Sequence, residues 1–405
     1  MTSPSLRRML TTVAAATLVA TAGCSGSALD DHPDSAAAAL PIGMVAARTG
    51  VYKAVGDDMM HGFQLYLDQH GGKLGGRPVN LIVEDEQAGG EPARTAAQKL
   101  ITADHVVALT GIVAGNSISA VKPLLDQYKV PLLGSNARPA VGTEKGQIPD
   151  LNWVWHTSYI STEPGEAMGA YVAAHAGGPV WIVCPDYQGG YDECGGFQKA
   201  FLAAGGKVAN PDGKIAWTPF PSTTNFQPYL TAIRDSDAAA VYTFYAGGSA
   251  IDFVKQYAQF IGPKIPLYAA GFLTEGSVLA AQGDAAKGIR NSLNYSPDLS
   301  NPANSKFVAD YQSKYGSLPT TFSMASFDAA AVLDKAIAAA ARGEVTAASI
   351  NDAIGAVGQI DSPRGVWQFS LKTHTPVQTW YLREVRMDGP VLNNMLVQEL
   401  GTLGG

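Results

Sequence analysis

Apolar and polar positions follow two alternating periods along the chain. Pro41 to Ala47 (PIGMVAA) is a nearly unbroken apolar run, the mark of a short strand buried on both faces. Asp57 to His70 places Met59, Phe63 and Leu67 at helical spacing, with Met60 and Tyr66 alongside. A glycine-rich turn, Gly71 to Gly76, leads to Val79 to Asp85 (VNLIVED) as a strand. Glu91 to Ala103 reads as a helix with Pro92 near its first turn. Val106 to Thr110, Ser117 to Tyr128 and Val130 to Gly134 continue as strand, helix and strand. This order predicts a parallel sheet covered by helices.

The pattern then restarts. Glu163 to Ala176 is helical, Pro179 to Cys184 (PVWIVC) is a buried strand and Tyr191 to Ala204 is a helix. Ala238 to Phe244, Ser249 to Phe260 and Ile265 to Ala270 follow as strand, helix and strand. Two further helices, Asn304 to Lys314 and Phe327 to Arg342, precede Gly365 to Ser370 and Val377 to Val385, which read as antiparallel strands. Two α/β units of similar size therefore succeed each other without a residue-level repeat. A length of 405 residues suits two domains better than one.

The first residues carry an address. Arg7 and Arg8 stand ahead of an apolar run, Met9 to Ala22, then Gly23 and Cys24. A positive start, a short apolar core and small residues make residues 1–23 a secretory signal. The run of about 14 residues falls short of the roughly 20 that span a bilayer. Thr21-Ala22-Gly23-Cys24 looks like a bacterial lipobox, with Thr21 where leucine is usual. In that motif the Cys24 thiol takes a lipid and becomes the first mature residue. Residues 24–40 are small and polar, suited to a flexible tether.

Charge and motif content narrow the function. The net charge is −7 and no Lys/Arg block occurs, which argues against a nucleic-acid partner. The three cysteines form no CxxC, so no metal module is expected. His61, His70, His105, His156, His175 and His374 are scattered, and neither HExxH, GxSxG nor a P-loop is present. No catalytic residue and no cofactor is expected. Glu84, Asp85 and Glu86 form a compact acidic group at a strand end. A cleft-rim role suits them better than a metal or acid/base cluster. Cys184 and Cys194 flank the Asp186-Tyr187 loop and can pair in an oxidising compartment, the alternative being two free thiols.

Open parallel sheets bind ligands beyond the carboxyl ends of their strands. Here those ends carry Arg48-Thr49-Gly50, Ala114-Gly115, Ser135-Asn136, Asp186-Tyr187 and Tyr245-Ala246-Gly247-Gly248. Such loops offer N–H groups and hydroxyls but few nucleophile–base pairs, which fits holding a ligand rather than breaking one.

Several segments together carry a resemblance. They are Thr49-Gly50 with Gly56-Asp57, Gly71 to Arg77 leading into Val83-Glu84-Asp85, and Val130-Pro131-Leu132-Leu133. Asp186 to Gly190, Tyr315 to Pro319, Ser326 to Ala330 and Ser362 to Gly365 complete the set. In order and spacing, from about Ile42 to Val385, the chain resembles the leucine/isoleucine/valine-type solute-binding proteins of bacterial ABC importers. The resemblance implies the type I periplasmic-binding fold: two doubly wound, parallel-sheet α/β lobes joined by three crossovers. Lobe 1 would comprise residues 41–157 plus 290–350, and lobe 2 residues 158–289 plus 351–400.

The same resemblance supplies site residues. The serine that meets a ligand carboxylate in amino-acid binders falls on Gly115, followed by Asn116 and Ser117 at a helix start, where both also suit the N-cap. The next loop's pair falls on Ala137 and Arg138, an arginine able to grip a carboxylate with two hydrogen bonds. Tyr187 and Tyr245 become cleft walls on the lobe 2 side, with Tyr52 at the rim only. The acid that would hold an ammonium is replaced by Ile251, with Asp252 beside it, which tilts the expectation toward an organic acid or amide over leucine. The implied protein is a monomeric lipoprotein on the outer face of the cytoplasmic membrane. It would close on a small solute and deliver it to a permease and its ATPase. A ligand-sensing receptor lobe, or an extracytoplasmic hydrolase, is the alternative.

Overall fold

The computed structural model describes residues 38–136, 138–143 and 146–405. The signal, Cys24 and nearly all of the tether lie outside the described residues, as does Ala137. Among the described residues no helix is long and apolar enough to cross a membrane.

The chain begins with β1 (Leu40–Ala46), α1 (Lys53–Gln69), β2 (Lys73–Leu74), β3 (Arg77–Asp85) and α2 (Glu91–Thr102). It continues with β4 (Ala108–Gly111), α3 (Gly115–Tyr128), β5 (Leu132–Gly134) and β6 (Val154–His156). These strands form one six-stranded sheet in the order β2-β3-β1-β4-β5-β6. All of its pairings are parallel except the short β2–β3 ribbon.

The second half runs through α4 (Glu163–His175), β7 (Val180–Asp186), α5 (Gln188–Ala203), β8 (Ala216–Pro219) and α6 (Gln227–Arg234). β9 (Ala240–Thr243), α7 (Gly247–Phe260), β10 (Leu267–Ala270), α8 (Ser277–Gln282) and β11 (Arg290–Leu293) follow. After α9 (Pro302–Tyr315), α10 (Thr321–Ala340) and α11 (Ala347–Ile354), the hairpin of β12 (Gln378–Asp388) and β13 (Val391–Leu403) ends the chain. The second sheet has the order β13-β12-β11-β10-β9-β7-β8, parallel from β11 to β8 and antiparallel at the hairpin edge.

Each sheet is covered on both faces. Ile42, Met44 and Ala46 of β1 pack under Phe63 of α1, Ala329 and Leu333 of α10 and Ile350 of α11. On the other face Val45, Leu109 and Leu132 meet Leu100 of α2 and Val121 of α3. In the second sheet Val241 and Ala269 face Leu230 of α6 and Phe253 of α7. Val180 and Ile182 face Met168 of α4 and Phe197 of α5. Full coverage is why these strands read as apolar runs rather than as an alternation.

Several elements differ from the sequence expectation. α1 starts at Lys53 and α5 at Gln188, because the glycines of the first turns obscure their helical pattern. Gly365 to Ser370 makes only isolated bridges, Ile360 to Trp367 and Phe369 to Pro376, and is not a strand. Trp367 and Phe369 instead fill the core around α10 and α11. The expected final strand gains a partner, β13, beyond the Asp388-Gly389 turn; it is an edge strand with many exposed positions, so its apolar signal is weak.

Three chain segments pass between the two sheet regions, and one polar knot ties them. Arg364 Nη2 donates to Asp328 Oδ2 at 2.6 Å and to the Thr157 carbonyl, and Arg364 Nη1 donates to Gln378 Oε1 at 2.5 Å. Gln378 also receives Asn294 Nδ2 at 2.8 Å and donates to the Ser158 carbonyl at 2.5 Å. Thr157–Ser158, Asn294 and Gln378 belong to the first, second and third crossing segments. Asp328 and Arg364 are fully sequestered, at 0% and 2% side-chain exposure, so this ion pair feels little screening.

Candidate ligand-binding site

The carboxyl ends of the two sheets face one pocket. Tyr52, Val55, Val113, Ala114, Gly115 and Asn136 line it from the first sheet's loops and α1. Tyr187, Gly189, Glu193, Phe244, Ala246 and Phe272 line it from the second, with Tyr159, Ser161 and Phe322 completing the wall. Six of these side chains are aromatic, and the cavity between them measures about 40 Å³. That is room for a few waters at the roughly 10–15 Å³ each needs.

The aromatic lining is continuous. Between ring centroids Tyr187 lies 6.3 Å from Phe244, Phe244 5.9 Å from Phe272, and Phe272 5.5 Å from Tyr159 and 5.8 Å from Phe322. Tyr52 OH donates to Tyr187 OH at 3.0 Å, joining the two sides directly. Burial pushes both phenols well above their ordinary range, so both stay neutral hydrogen-bonding groups. Close backbone approach accompanies this contact: a side chain at Gly247, φ +57°, would collide with the Val51 carbonyl at 2.0 Å.

The loop before α3 is held open by an acid behind it. Glu86 accepts Val113 N–H at 2.6 Å, Ala114 N–H at 2.8 Å and Ser117 Oγ–H at 2.7 Å. Burial raises its carboxyl to about 7 while these three donors pull it back. Asp85 likewise accepts Arg48 N–H at 2.8 Å and Thr49 Oγ–H at 2.6 Å, and Glu84 pairs with Lys99. The acidic triplet therefore braces loops. It leaves Gly115, the first residue of α3, at the pocket, where the helix N-terminus favours an anion.

Of the residues singled out from the sequence, the structure brings Tyr52, Gly115 and Tyr187 together in the pocket wall. Tyr52 is 3% exposed and a wall, not a rim residue. Ser117 is spent on Glu86 and on Gly90 N–H, and neither it nor Asn116 lines the cavity. Arg138 points away: its Nη1 donates to the Pro139 carbonyl at 2.8 Å and its Nη2 to the Thr373 carbonyl at 2.9 Å. Burial lowers its guanidinium to about 10, while the carboxyls of Glu163 and Asp192 act in the opposite direction. Tyr245 packs between Phe226 and Phe253, with its OH 3.0 Å from Thr218 Oγ, one layer behind the wall. Asp252 is also absent from the lining. Cys184 and Cys194 form a disulfide, 6.6 Å between Cα atoms, joining the end of β7 to α5 around Tyr187.

One pocket acid escaped the sequence reading. Glu193 is 1% exposed and its Oε2 has no hydrogen-bond partner. Burial and the neighbouring carboxyls of Asp192, Glu163 and Glu166 push it well above the usual carboxylate range. Its signal was available: Gly189, Glu193, Phe197 and Phe201 recur every four residues, so the acid sits on an apolar stripe of α5. Gly165 of α4 lets the helices touch there, since a side chain would meet the Glu193 carbonyl at 2.0 Å.

Comparisons place this architecture among known proteins. A family model described as periplasmic binding protein matches residues 39–390. A Leu/Ile/Val-binding protein homolog 6 from Brucella melitensis is 29% identical over 352 residues, 85% of this chain and 87% of that protein. An ABC transporter solute-binding protein from R. palustris, solved in complex with benzoate, superposes with a TM-score of 0.78 at 31% identity. The match covers 89% of this chain and 97% of that one. A second from R. palustris, in complex with 4-hydroxybenzoate, gives 0.79 at 27% identity over 89% and 96% of the two chains. The leucine-binding protein LivK of Thermotoga maritima shares the fold, with a TM-score of 0.74 at 22% identity over 88% of this chain and 99% of its own. Two α/β lobes of the type I kind, matched over nearly the whole described length, establish that this chain belongs to the periplasmic binding protein family.

Proposed function

We propose that the protein is the solute-binding component of an ABC importer and that its solute is a small aromatic acid held between the lobes. The observation that carries this reading is the pocket itself: six aromatic walls with the N-terminus of α3 at one side. Flat apolar walls favour a ring, and a helix N-terminus favours its carboxylate. The solute-binding proteins crystallised with benzoate and 4-hydroxybenzoate, at 31% and 27% identity, support the same class.

The action is clamping. Tyr52 and Tyr187 come from opposite sides and touch, so a ring enters only when they part. A solute bridging both sides stabilises the closed form and shifts the equilibrium toward it. The permease then recognises that form. The lining residues include no nucleophile–base pair, which supports binding without turnover. β11, from Arg290, belongs to the second sheet, and Ile354, Trp367 and Phe369 pack in the core of the first, so the lobes are taken as about residues 41–157 plus 294–369 and 158–293 plus 378–403 rather than with the bounds expected from the sequence. The molecule is taken as a monomer outside the cytoplasm, lipid-anchored through Cys24.

Titration calorimetry of the purified protein with benzoate, hydroxybenzoates, leucine and amides tests the solute class. One aromatic acid bound per chain and recovered unchanged supports the reading. Preference for leucine, or conversion of the added acid, defeats it. Detergent phase partitioning of the native protein against Cys24→Ala tests the anchor, with only the variant expected in the aqueous phase.

A further inference from the structure

Glu193 is the polar group of the pocket that the clamp does not use. Tyr52 OH and Tyr187 OH bond to each other, Tyr159 OH donates to Asn136 Oδ1 at 2.9 Å, and Ser161 Oγ donates to the Arg138 carbonyl at 2.9 Å. Asn136 Nδ2 donates to the Val113 carbonyl at 2.7 Å. Glu193 Oε2 alone among the polar side-chain atoms of this wall is buried without a partner. Leaving such an atom unpaired is costly, and a ligand that pairs it recovers that cost.

We propose that the Glu193 carboxyl hydrogen-bonds a hydroxyl group on the solute's ring, so that the pocket selects hydroxylated aromatic acids over unsubstituted ones. This rests on the aromatic-acid reading above and sharpens it. The solute's carboxylate then takes the α3 N-terminus at Gly115, and Glu193 serves the other polar group.

The groups around Glu193 favour its neutral form. Asp192 and Glu163 are buried beside it and Glu166 adds a third acid, while Arg138, the nearby cation, donates to the carbonyls of Pro139 and Thr373. A neutral carboxyl both donates and accepts, as a phenol does, and does not repel an anionic solute. An ammonium-bearing solute would instead require Glu193 to ionise among those acids.

The experiment is calorimetry at pH 7 with benzoate, the three monohydroxybenzoates and phenylalanine, on the native protein, Glu193→Gln and Glu193→Leu. Circular dichroism first establishes that each variant is folded. The native protein is expected to bind the best hydroxybenzoate at least about fivefold more tightly than benzoate, the scale of one neutral hydrogen bond. Glu193→Gln keeps that preference, because the amide still bonds a hydroxyl. Glu193→Leu loses it while still binding benzoate. An unchanged preference in Glu193→Leu overturns the inference but leaves the aromatic-acid reading intact. Tighter binding of phenylalanine than of any benzoate, lost in Glu193→Gln, overturns it in favour of an ionised Glu193. Failure of every aromatic acid to bind the native protein removes the reading and the inference together.

Discussion

Tyr52 OH donates a 3.0 Å hydrogen bond to Tyr187 OH, across 135 positions of sequence and from one lobe to the other. A neutral bond of this kind is worth roughly 0.5–1.5 kcal/mol, small against folding but enough to bias the proposed opening and closing of the lobes. Tyr187→Phe and Tyr52→Phe are each expected to weaken solute binding by about threefold to tenfold. The double variant should lose no more than the worse single one, since both remove the same bond. Additive losses in calorimetry would show that the hydroxyls act separately.

The disulfide predicts a local effect. Cys184 and Cys194 enclose the segment that carries Tyr187 and Glu193. Closing a loop of this length contributes about 2–3 kcal/mol, mostly by restricting the unfolded chain. Reduction should lower the urea midpoint accordingly and weaken solute binding, because Tyr187 loses its brace. A reduced protein of unchanged stability would refute this.

Only part of the pocket was legible in the sequence: Tyr187, Gly115 and the Cys184–Cys194 pair could be named, whereas Tyr159, Phe244, Phe272 and Phe322 were not and Tyr52 was expected only at the rim. Buried parallel strands such as Val180–Asp186 are apolar throughout, so their carboxyl ends, and with them Tyr187 and Gly115, can be located by pattern alone. Side-chain direction is not readable in that way. Arg138 faces the loop at Thr373 rather than the pocket, and Tyr245 faces the Phe226–Phe253 layer. The first depends on a partner 235 positions away, and the second on which face of a short strand end the side chain leaves from. Glu193 was passed over because its stripe of α5 reads as core, although an acid on an apolar stripe was itself the available signal.

The buried pair at the crossings predicts a large stability loss. Asp328 Oδ2 accepts from Ser362 Oγ at 2.8 Å, Arg364 Nη2 at 2.6 Å and Trp367 Nε1 at 2.9 Å. Asp328→Ala strands the Arg364 charge and is expected to cost about 3–5 kcal/mol. Urea unfolding measures it. A loss below about 1 kcal/mol would place the pair among exposed ones.

Glu163 gives stability a pH dependence. Burial raises its carboxyl from 4.5 to about 8, against an opposing hydrogen bond from Ile160 N–H and the nearby Arg138. The folded protein therefore holds a proton that the unfolded chain releases. Its stabilising contribution is complete below about 4.5 and is lost as pH rises through about 8. The native protein should thus lose stability relative to Glu163→Gln between pH 5 and pH 9, by about 1 kcal/mol or more. Parallel curves for the two proteins in urea titrations would contradict the assignment.

The most direct test of the central claim is small-angle scattering of the native protein, with and without a saturating hydroxybenzoate, alongside Tyr187→Ala. The account predicts that the solute shifts the native population toward the compact form and leaves Tyr187→Ala unmoved at the same concentration. Tight binding with identical scattering, or equal compaction in the variant, would contradict a clamp that closes through Tyr187.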